Sequence, residues 1–335
     1  MALVVALLLL APIVGGLVGG VLYLQHRLGA SIEEFADPFA GLLDRPDPAG
    51  GAAAGQSRAP VTILALGSDS RTSAGDPEEW SFGAQRTDAI MLAQVSGDRR
   101  HVSVMSIPRD SWVPIPGWGT HKINAAFSWG GPSLMVQTVE DLVGVRIDHV
   151  VIVDFSSFVA LTDALGGVDI FLPDGLQHGK AQLVPGTHRL DGAQALAYTR
   201  DRTDVPGGDF GRMQRQQNWI RAMFKAASSE RLAQNPAGVL GLLETVAANV
   251  AVDETFTMTK MRGLAWSMIA TDLDDGVFFT APVAELGRSP DGRQAIVLLD
   301  ETRLDAIGAA FAEDRVPEFL ETHPDGLRQL DGAVH

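Results

Sequence analysis

Short apolar runs alternate with helical patterns along the first half of the sequence, and this alternation limits the fold more than any other feature. Val61 to Leu66 is apolar and leads into Gly-Ser-Asp-Ser, the pattern of a buried strand that ends in a loop. Val150 to Val153 and Val168 to Leu172 are predicted strands, separated by a predicted helix at Ser157 to Leu165. This alternation predicts an α/β sandwich, in which helices cover a central sheet.

A β-hairpin is predicted between the strand at Val61 to Leu66 and the strand at Val150 to Val153. Thr87 to Val95 and His101 to Ile107 flank the turn signal Ser96-Gly97-Asp98. The other predicted elements are a helix at Pro132 to Val143 that stops at Gly144, a helical pattern from Gln214 to about Ile269, a strand at Val277 to Pro282 and a helix at Glu301 to Phe311. The last twenty residues are expected to form a loose tail.

The N-terminus predicts a single transmembrane helix. Met1 to Leu24 contains no charged residue, and a bilayer core needs about 20 apolar residues. A cleaved signal peptide is the alternative, although its apolar region is typically only about 7 to 15 residues long. We therefore expect a membrane anchor over 1–26. Its two overlapping G-x-x-x-G spacings, which begin at Gly15 and Gly16, could pack two anchors into a homodimer.

Composition sets the domain boundaries and excludes several functions. Residues 27–60 are rich in Gly, Ala and Pro and are predicted to be a flexible linker. The folded domain is therefore expected over 61–313, with the tail over 314–335. The formal net charge of -15 argues against nucleic acid as a partner, and the absence of cysteine excludes thiol nucleophiles, zinc-thiolate sites and disulfides.

Charged residues gather where the predicted strands end. The hairpin brings the start of its first strand, with Arg86 and Asp88, beside Arg109 and Asp110 at the end of its second strand. Side chains alternate along a strand, so Arg86 and Asp88 are expected to point to one face and Thr87 to the other. A surface ion pair would be the ordinary interpretation of these residues. The loop after the first strand, with Asp69 and Arg71, should reach the same edge of the sheet.

A second basic group follows later in the chain. Arg200 and Arg202 would share one side if this stretch is extended and would diverge if it is helical. A loop at Gly207 to Gly211 then opens a helix that carries Arg212, Arg215 and Gln216. In an acidic chain, this gathering predicts a binding site for an anion such as phosphate; its cations are Arg71, Arg86, Arg109, Lys122, Arg200, Arg202, Arg212 and Arg215.

Carboxylates among these cations favour a metal. Magnesium typically binds one or two carboxylates together with substrate phosphates, and Asp69 and Asp88 would suit it. The arrangement predicts metal-assisted phosphoryl transfer. No P-loop, G-x-S-x-G elbow or H-E-x-x-H motif is present, which weakens the nucleotide hydrolase, serine esterase and zinc protease hypotheses.

The motifs resemble, in order, those of the LytR-CpsA-Psr family of cell-wall enzymes. The resemblance covers roughly Val61 to Phe311. It rests on six segments: Gly67 to Arg71, Arg86 to Asp88, Ser106 to Asp110, Lys122 to Ala125, Leu190 to Arg202, and Gly208 to Gln217. It implies a three-layer α-β-α sandwich with a central mixed β-sheet, held outside the cytoplasm by a single-pass anchor in the cell membrane.

The resemblance also implies an activity. Members of the family transfer a glycopolymer from a polyprenyl-pyrophosphate carrier to peptidoglycan. The family's pyrophosphate-binding positions match Arg86, Arg109, Lys122, Arg200, Arg202, Arg212 and Gln216, and its magnesium carboxylates match Asp69 and Asp88. We expect Asp69, Asp88, Arg109, Arg200 and Arg212 to carry the chemistry, with the lipid tail in a hydrophobic tunnel.

Several alternatives stay open at this stage. The same residues could serve a polyprenyl-pyrophosphate hydrolase, or a non-catalytic receptor for the lipid-linked precursor that regulates the envelope. The general base is not assigned, although Asp110 could serve. Met213, Met223, Met258, Met261 and Met268 could line the tunnel or form ordinary core. Trp80, Trp112, Trp118 and Trp129 could stack on sugar rings or merely pack.

Overall fold

The protein has an α/β fold around a central mixed sheet. The structure, a computed structural model, describes residues 33–50, 58–68, 87–178, 181–200, 208–227, 245, 248–268, 276–323, 327–330 and 334. Element numbers below refer to this part of the chain.

The strands are β1 (Glu33–Phe35), β2 (Val61–Ser68), β3 (Thr87–Val95), β4 (Val102–Ser106), β5 (Trp112–Ile115), β6 (Gly119–Lys122), β7 (His149–Val153), β8 (Val168–Leu172), β9 (Leu176–His178), β10 (Ala181–Leu183), β11 (Gly186–Leu190), β12 (Ala251–Asp253), β13 (Val277–Thr280), β14 (Val283–Arg288), β15 (Ala295–Leu299) and β16 (Arg328–Gln329). The helices are α1 (Asn124–Val143), α2 (Phe155–Ala164), α3 (Gly192–Arg200), α4 (Asp209–Ala227), α5 (Met258–Met268), α6 (Glu301–Ala312) and α7 (Val316–Thr322).

Eight of the described strands form the main sheet, in the order β1-β12-β7-β2-β3-β4-β13-β16. β2 pairs in parallel with β7, and β4 pairs in parallel with β13. β3 lies between β2 and β4 and is antiparallel to both, which confirms the predicted hairpin. Because β2, β4, β7 and β13 run in the same direction, their carboxyl ends meet at one edge of the sheet.

Helices pack on both faces of this sheet. Leu64 and Leu66 of β2 belong to a core cluster with Met135 of α1 and Phe311 of α6. Ala65, between them in sequence, packs instead in a cluster with Ile220 of α4. This division follows from the alternation of side chains along a strand. The sheet therefore has apolar residues on both faces.

The long helix α1 contains a proline, Pro132, at a kink. Gly130 and Gly131 have non-helical backbone angles, and Pro132 follows them at the start of the next helical stretch. Proline is tolerated there because it lacks the N–H that a first turn leaves without a helical partner. Gly144 ends the helix in the left-handed conformation, at φ 70°. The predicted stop is confirmed, whereas the predicted start at Pro132 falls at this kink.

The prediction of a flexible linker over residues 27–60 was wrong over much of its length. Phe35 of β1 is 2% exposed, and β1 extends the main sheet by pairing in parallel with β12. Phe39 and Leu42 pack against the main core. We call residues 33–50 the strap. Local composition could not predict it, because β1 depends on a partner strand that lies far away in sequence.

Two further predictions were wrong in the C-terminal half. The helical pattern from Gln214 to about Ile269 is interrupted by β12, whose residues are fully or almost fully buried. The tail over 314–335 is not loose, because it contains α7, with Val316 and Leu320 buried, and β16, which pairs with β13. A three-residue buried strand carries too short an apolar run to be told from a helix by periodicity alone.

None of the helices in the described ranges combines the length and apolarity that a bilayer crossing requires. The predicted anchor over 1–26, with its G-x-x-x-G spacings, lies outside those ranges.

The strap is held by an ion pair that is almost completely buried. Arg45 donates three hydrogen bonds to Glu140 of α1, from Nε to Oε2 at 2.9 Å and to Oε1 at 3.2 Å, and from Nη2 to Oε1 at 2.6 Å. Glu140 is 2% exposed and also accepts the backbone N–H of Ile147. Removal of the arginine would leave a buried carboxylate without its cation, which is costly.

We expect Arg45→Ala to lower the free energy of unfolding by about 3 kcal/mol, measured by urea denaturation. Arg303→Ala is the matched control, because its ion pair with Asp300 is largely exposed and should contribute less than about 1 kcal/mol. Equal stability of the two variants would contradict a structural role for the strap.

Candidate functional site

The candidate site lies at the edge of the sheet where β2 and β4 end. Gly67 pairs with Ala89 and Ser68 pairs with Thr87, so that Asp88 has no partner in the register and forms a β-bulge. In an unbroken strand Asp88 would share a face with Ile90, which is in the main core. The bulge instead turns Asp88 to the side of Ala89, and both line one cavity. Bulges are known to re-aim side chains in this way.

Asp88 meets Arg109 across the hairpin. The register pairs Met91 with Ser106, and its continuation places position 88 opposite position 109. The Arg109 guanidinium forms an ion pair with the Asp88 carboxylate, and both side chains are partly buried. The prediction that these residues meet at the end of the hairpin is confirmed. The alternation argument for Arg86 and Asp88 did not include the bulge, and Arg86 lies outside the described residues.

The loop that carries Arg109 is held from two sides. Val297 of β15 donates its backbone N–H to the Asp110 carbonyl at 3.0 Å, and Asn124 donates to the Arg109 carbonyl at 3.3 Å. Lys122, at the end of β6, forms a 3.0 Å ion pair with Asp110. These contacts fix the backbone of the loop and bring a second cation beside Arg109.

The contacts of Tyr198 hold the end of α3 against α4. The Tyr198 hydroxyl accepts a 3.0 Å hydrogen bond from Asn218, and the Arg215 guanidinium lies over its ring, 5.1 Å from the centroid. Burial raises the pKa of Tyr198, against the opposing effects of Asn218 and of the charges of Arg215 and Arg221. The phenol is therefore neutral at physiological pH. Arg200 is the last residue of α3, so its stretch is helical at that point.

One buried amide fixes α4 against the sheet. Gln217 is fully buried, and its Nε2 donates to Ser106 Oγ at 2.8 Å and to the Phe279 carbonyl at 2.7 Å. Ser106 ends β4, and Phe279 belongs to β13. Gln217 thus ties α4 to two strands at the edge that carries the site. The neighbouring Gln216 points into a cavity instead.

Two cavities adjoin at the Asp88–Arg109 ion pair. The first, which we call the apolar cavity, has a volume of about 280 Å³ and lies between the sheet and helices α2, α3 and α4. Its polar residues include Asp88, Arg200 and Gln216, and its apolar residues include Phe158, Leu196, Trp219, Ile220 and Met223. The second, the polar cavity, has a volume of about 470 Å³. It is lined by Arg109, Asp110, His121, Lys122, Asn124, Ala125, Ser128, Trp129 and Gln294.

The predicted site residues fall into three groups. Asp88, Arg109, Lys122, Arg200 and Gln216 line one or the other of the two cavities. Arg212 and Arg215 are among the described residues but line neither cavity. Arg212 is 7% exposed, and Arg215 packs over the Tyr198 ring. Asp69, Arg71, Arg86 and Arg202 lie outside the described residues.

A stripe of residues on α4 marks the apolar cavity in the sequence. Gln216, Trp219, Ile220 and Met223 recur at helical spacing, and all four line this cavity. The stripe begins with a polar residue and continues with apolar ones. Of the methionines considered for a tunnel, Met223 lines the cavity, whereas Met213 packs with Phe210 in a separate cluster.

The described residues offer part of a magnesium site. Asp88 presents a carboxylate at the cavity wall, beside the end of β2 that leads directly into Asp69. The described residues contain no group of three or more His, Cys, Asp or Glu side chains placed to hold a metal ion. A site with one or two carboxylates does not need such a group, because phosphates and waters complete the coordination of magnesium. Asp88 therefore fits the predicted role.

The family follows from a sequence comparison that spans all of the predicted site residues. The LytR_cpsA_psr family model matches residues 42–275, which is more than half of the chain. The chain belongs to the LytR-CpsA-Psr family. The match begins at residue 42, within the strap.

Relatives and solved structures agree with this membership. The probable cell wall biosynthesis protein LcpB of Corynebacterium glutamicum is 33% identical over 241 residues, which cover 70% of this chain and 57% of LcpB. The crystal structure of TagV from B. subtilis is similar, with a TM-score of 0.64 and 26% identity, over 76% of this chain and 97% of TagV. A structure of TagT bound to LI-WTA has a TM-score of 0.59 and 25% identity, over 76% of this chain and 90% of TagT. The chain thus spans little more than half the length of LcpB.

Neighbouring glutamines on α4 provide a test of how the site is built. We expect Gln217→Leu to lower the free energy of unfolding by about 2 kcal/mol, because it removes two hydrogen bonds from a buried location. Gln216→Leu should leave stability within about 0.5 kcal/mol of the wild type. Thermal unfolding measures both. Equal losses in the two variants would show that Gln217 does not anchor the helix.

Proposed function

We propose that this protein transfers a glycopolymer from a polyprenyl-pyrophosphate carrier to peptidoglycan and forms a phosphodiester link. The observation that carries the proposal is the position of Arg109, whose ion pair with Asp88 lies where the apolar cavity adjoins the polar cavity. A lipid-linked glycan has the same division, with an apolar chain and a sugar joined through a doubly charged linkage.

The apolar cavity suits an isoprenoid chain. Side chains of Trp219, Ile220 and Met223 form one wall, and Ala65 and Ala89 of the sheet leave room opposite them. The Phe158 and Trp219 rings stack at 3.8 Å, which keeps the wall in place. Burial of apolar surface stabilises binding by about 25 cal/mol per Å², so a chain of several isoprene units would bind well here.

The cations at the junction suit the pyrophosphate. Arg109 and Lys122 approach it from the polar cavity, and Arg200 approaches it from the apolar cavity. Guanidinium groups bind phosphate oxygens through paired hydrogen bonds, and their fixed positions stabilise charge that develops on the leaving group. Arg71, Arg86 and Arg202 are proposed to complete this group from segments outside the described residues.

In the proposed reaction, a hydroxyl oxygen of peptidoglycan attacks the phosphorus that bears the glycan. The bond from that phosphorus to the bridging oxygen breaks, and polyprenyl phosphate leaves. Asp110 and His121 are the described residues of the polar cavity that could accept the hydroxyl proton. Magnesium, held by Asp88 and Asp69, would neutralise part of the pyrophosphate charge.

The proposed location follows from the N-terminal sequence. An anchor over 1–26 would hold the domain at the outer face of the cell membrane, where the lipid carrier and peptidoglycan are both present. Six residues separate this segment from Glu33, the first residue of the strap. The domain would therefore lie close to the bilayer. Pairing of two anchors through their glycines is a further proposal that rests on the same segment.

Arg109→Ala and Arg109→Lys test the transferase directly. We expect the alanine variant to lose at least about a hundredfold in rate, as removal of one charge-stabilising donor typically does. The lysine variant should recover little, because an ammonium group cannot bridge two oxygens in the same plane. The assay supplies a polyprenyl-pyrophosphate-linked oligosaccharide, a peptidoglycan oligomer, and either magnesium or a chelator. The exposed Arg303→Ala is the control.

The products of this assay separate the alternatives. Ligation that depends on magnesium and on Arg109 supports the transferase. Release of phosphorylated oligosaccharide into water would favour the hydrolase. Tight binding of the lipid without any product would favour the receptor.

Ala65→Leu tests the lipid assignment. The larger side chain should fill part of the apolar cavity and weaken binding of a polyprenyl pyrophosphate by at least about tenfold, since several buried CH₂ groups would be lost. Binding of a short, water-soluble pyrophosphate should not change. Ala309→Leu makes the same change at an exposed position on α6 and serves as control. Calorimetry measures all four affinities, and equal lipid binding by both variants would contradict the assignment.

A further inference from the structure

A row of aromatic rings borders the polar cavity. Trp118 and Trp129 lie with their ring centroids 4.9 Å apart at 30°. The His121 and Trp129 rings meet edge to face, with their centroids 4.8 Å apart, and the Trp112 centroid lies 5.8 Å from that of His121. Trp129 and His121 line the cavity. The row therefore leads from the wall of the cavity to Trp118, at the surface.

Trp118 is more exposed than simple packing would require. It is 45% exposed, which places it among the few large apolar side chains of the described residues that face solvent. It lies in the turn between β5 and β6, where Gly117 and Gly119 both have a positive φ near 80°. Glycines allow this tight turn to hold the indole at its tip. An exposed ring on a fixed turn, beside a cavity, suggests contact with a ligand.

The polar side chains of the cavity are of two kinds. Arg109, Asp110 and Lys122 carry charge, and Lys122 forms an ion pair with Asp110. Asn124, Ser128 and Gln294 are uncharged. Amides and hydroxyls can both donate and accept hydrogen bonds, as the hydroxyls of a sugar do. A second phosphate would instead need further cations.

The wall that carries Gln294 is also fixed in place. The turn between β14 and β15 is closed by hydrogen bonds from Ser289 N to the Gln294 carbonyl at 2.9 Å and from Gln294 N to Ser289 Oγ at 3.0 Å. Arg288 adds a 3.1 Å hydrogen bond to the Gly292 carbonyl. A wall that is ordered before the ligand binds reduces the entropic cost of binding.

We propose that the polar cavity is a saccharide subsite, in which an apolar face of a sugar ring packs on the Trp118–Trp129 pair while its hydroxyls meet Asn124 and Gln294. The inference rests on the proposed function, because Arg109 fixes where the sugar begins. It assigns the two tryptophans to substrate binding and leaves Trp112 as packing for His121. Aromatic walls with a few convergent polar groups are a general feature of binding sites for small molecules.

Trp118→Ala tests this subsite with three ligands. The first is a polyprenyl pyrophosphate without sugar, the second carries a disaccharide on the same lipid, and the third is a soluble peptidoglycan oligomer. Wild type and variant should bind the sugar-free lipid equally. The variant should lose about fivefold to tenfold in affinity for at least one ligand that contains sugar. Calorimetry measures each affinity in the full chain in detergent.

Phe171→Ala is the matched control, because Phe171 is also 45% exposed but lies on β8, away from the polar cavity. A loss confined to the lipid-linked disaccharide assigns the subsite to the donor, and a loss confined to the oligomer assigns it to the acceptor; both support the inference. Unchanged binding of both sugar ligands would overturn it. Failure of the wild type to bind the sugar-free lipid would instead contradict the proposed function, which keeps the two failures distinguishable.

Discussion

The site depends on the ion pair between Asp88 and Arg109, and this pair depends on one extra residue in β3. Without the bulge, Asp88 would turn toward the core face that Ile90 occupies, and Arg109 would face no carboxylate. Gly67 lies opposite the bulge, and a Cβ there would approach the Ala89 Cβ to 3.0 Å. The close approach of the two strands thus favours a residue without a side chain at this point.

Polar contacts inside the fold fix the relative positions of the helices, strands and strap around the site. Gln217 ties α4 to β4 and β13, and Tyr198 ties α3 to α4. Arg45 ties the strap to α1. Each is a specific contact at a buried or partly buried location, where a missing partner costs more than an intact hydrogen bond contributes. Such contacts fix relative positions, whereas apolar packing tolerates small shifts.

Local sequence patterns predicted the elements whose determinants are local. The β3–β4 hairpin, the stop of α1 at Gly144 and strand β8 all carry their own turn or capping residues, and the structure has them. β1, β12 and β16 were missed, because each is three residues or shorter and is stabilised by strands far away in sequence. The site was predicted as a gathering of charges, and a hydrophobic tunnel was expected from the family resemblance. The polar cavity was not predicted, because residues far apart in sequence, such as Lys122 and Gln294, line it together.

The most direct measurement is a crystal structure of the domain, strap included, with a short polyprenyl pyrophosphate that carries a disaccharide. Our account predicts the isoprenoid chain between Trp219 and the sheet, the pyrophosphate on Arg109, and the first sugar in the polar cavity near Trp129. A lipid chain bound outside the apolar cavity, or a pyrophosphate that does not contact Arg109, would contradict the account.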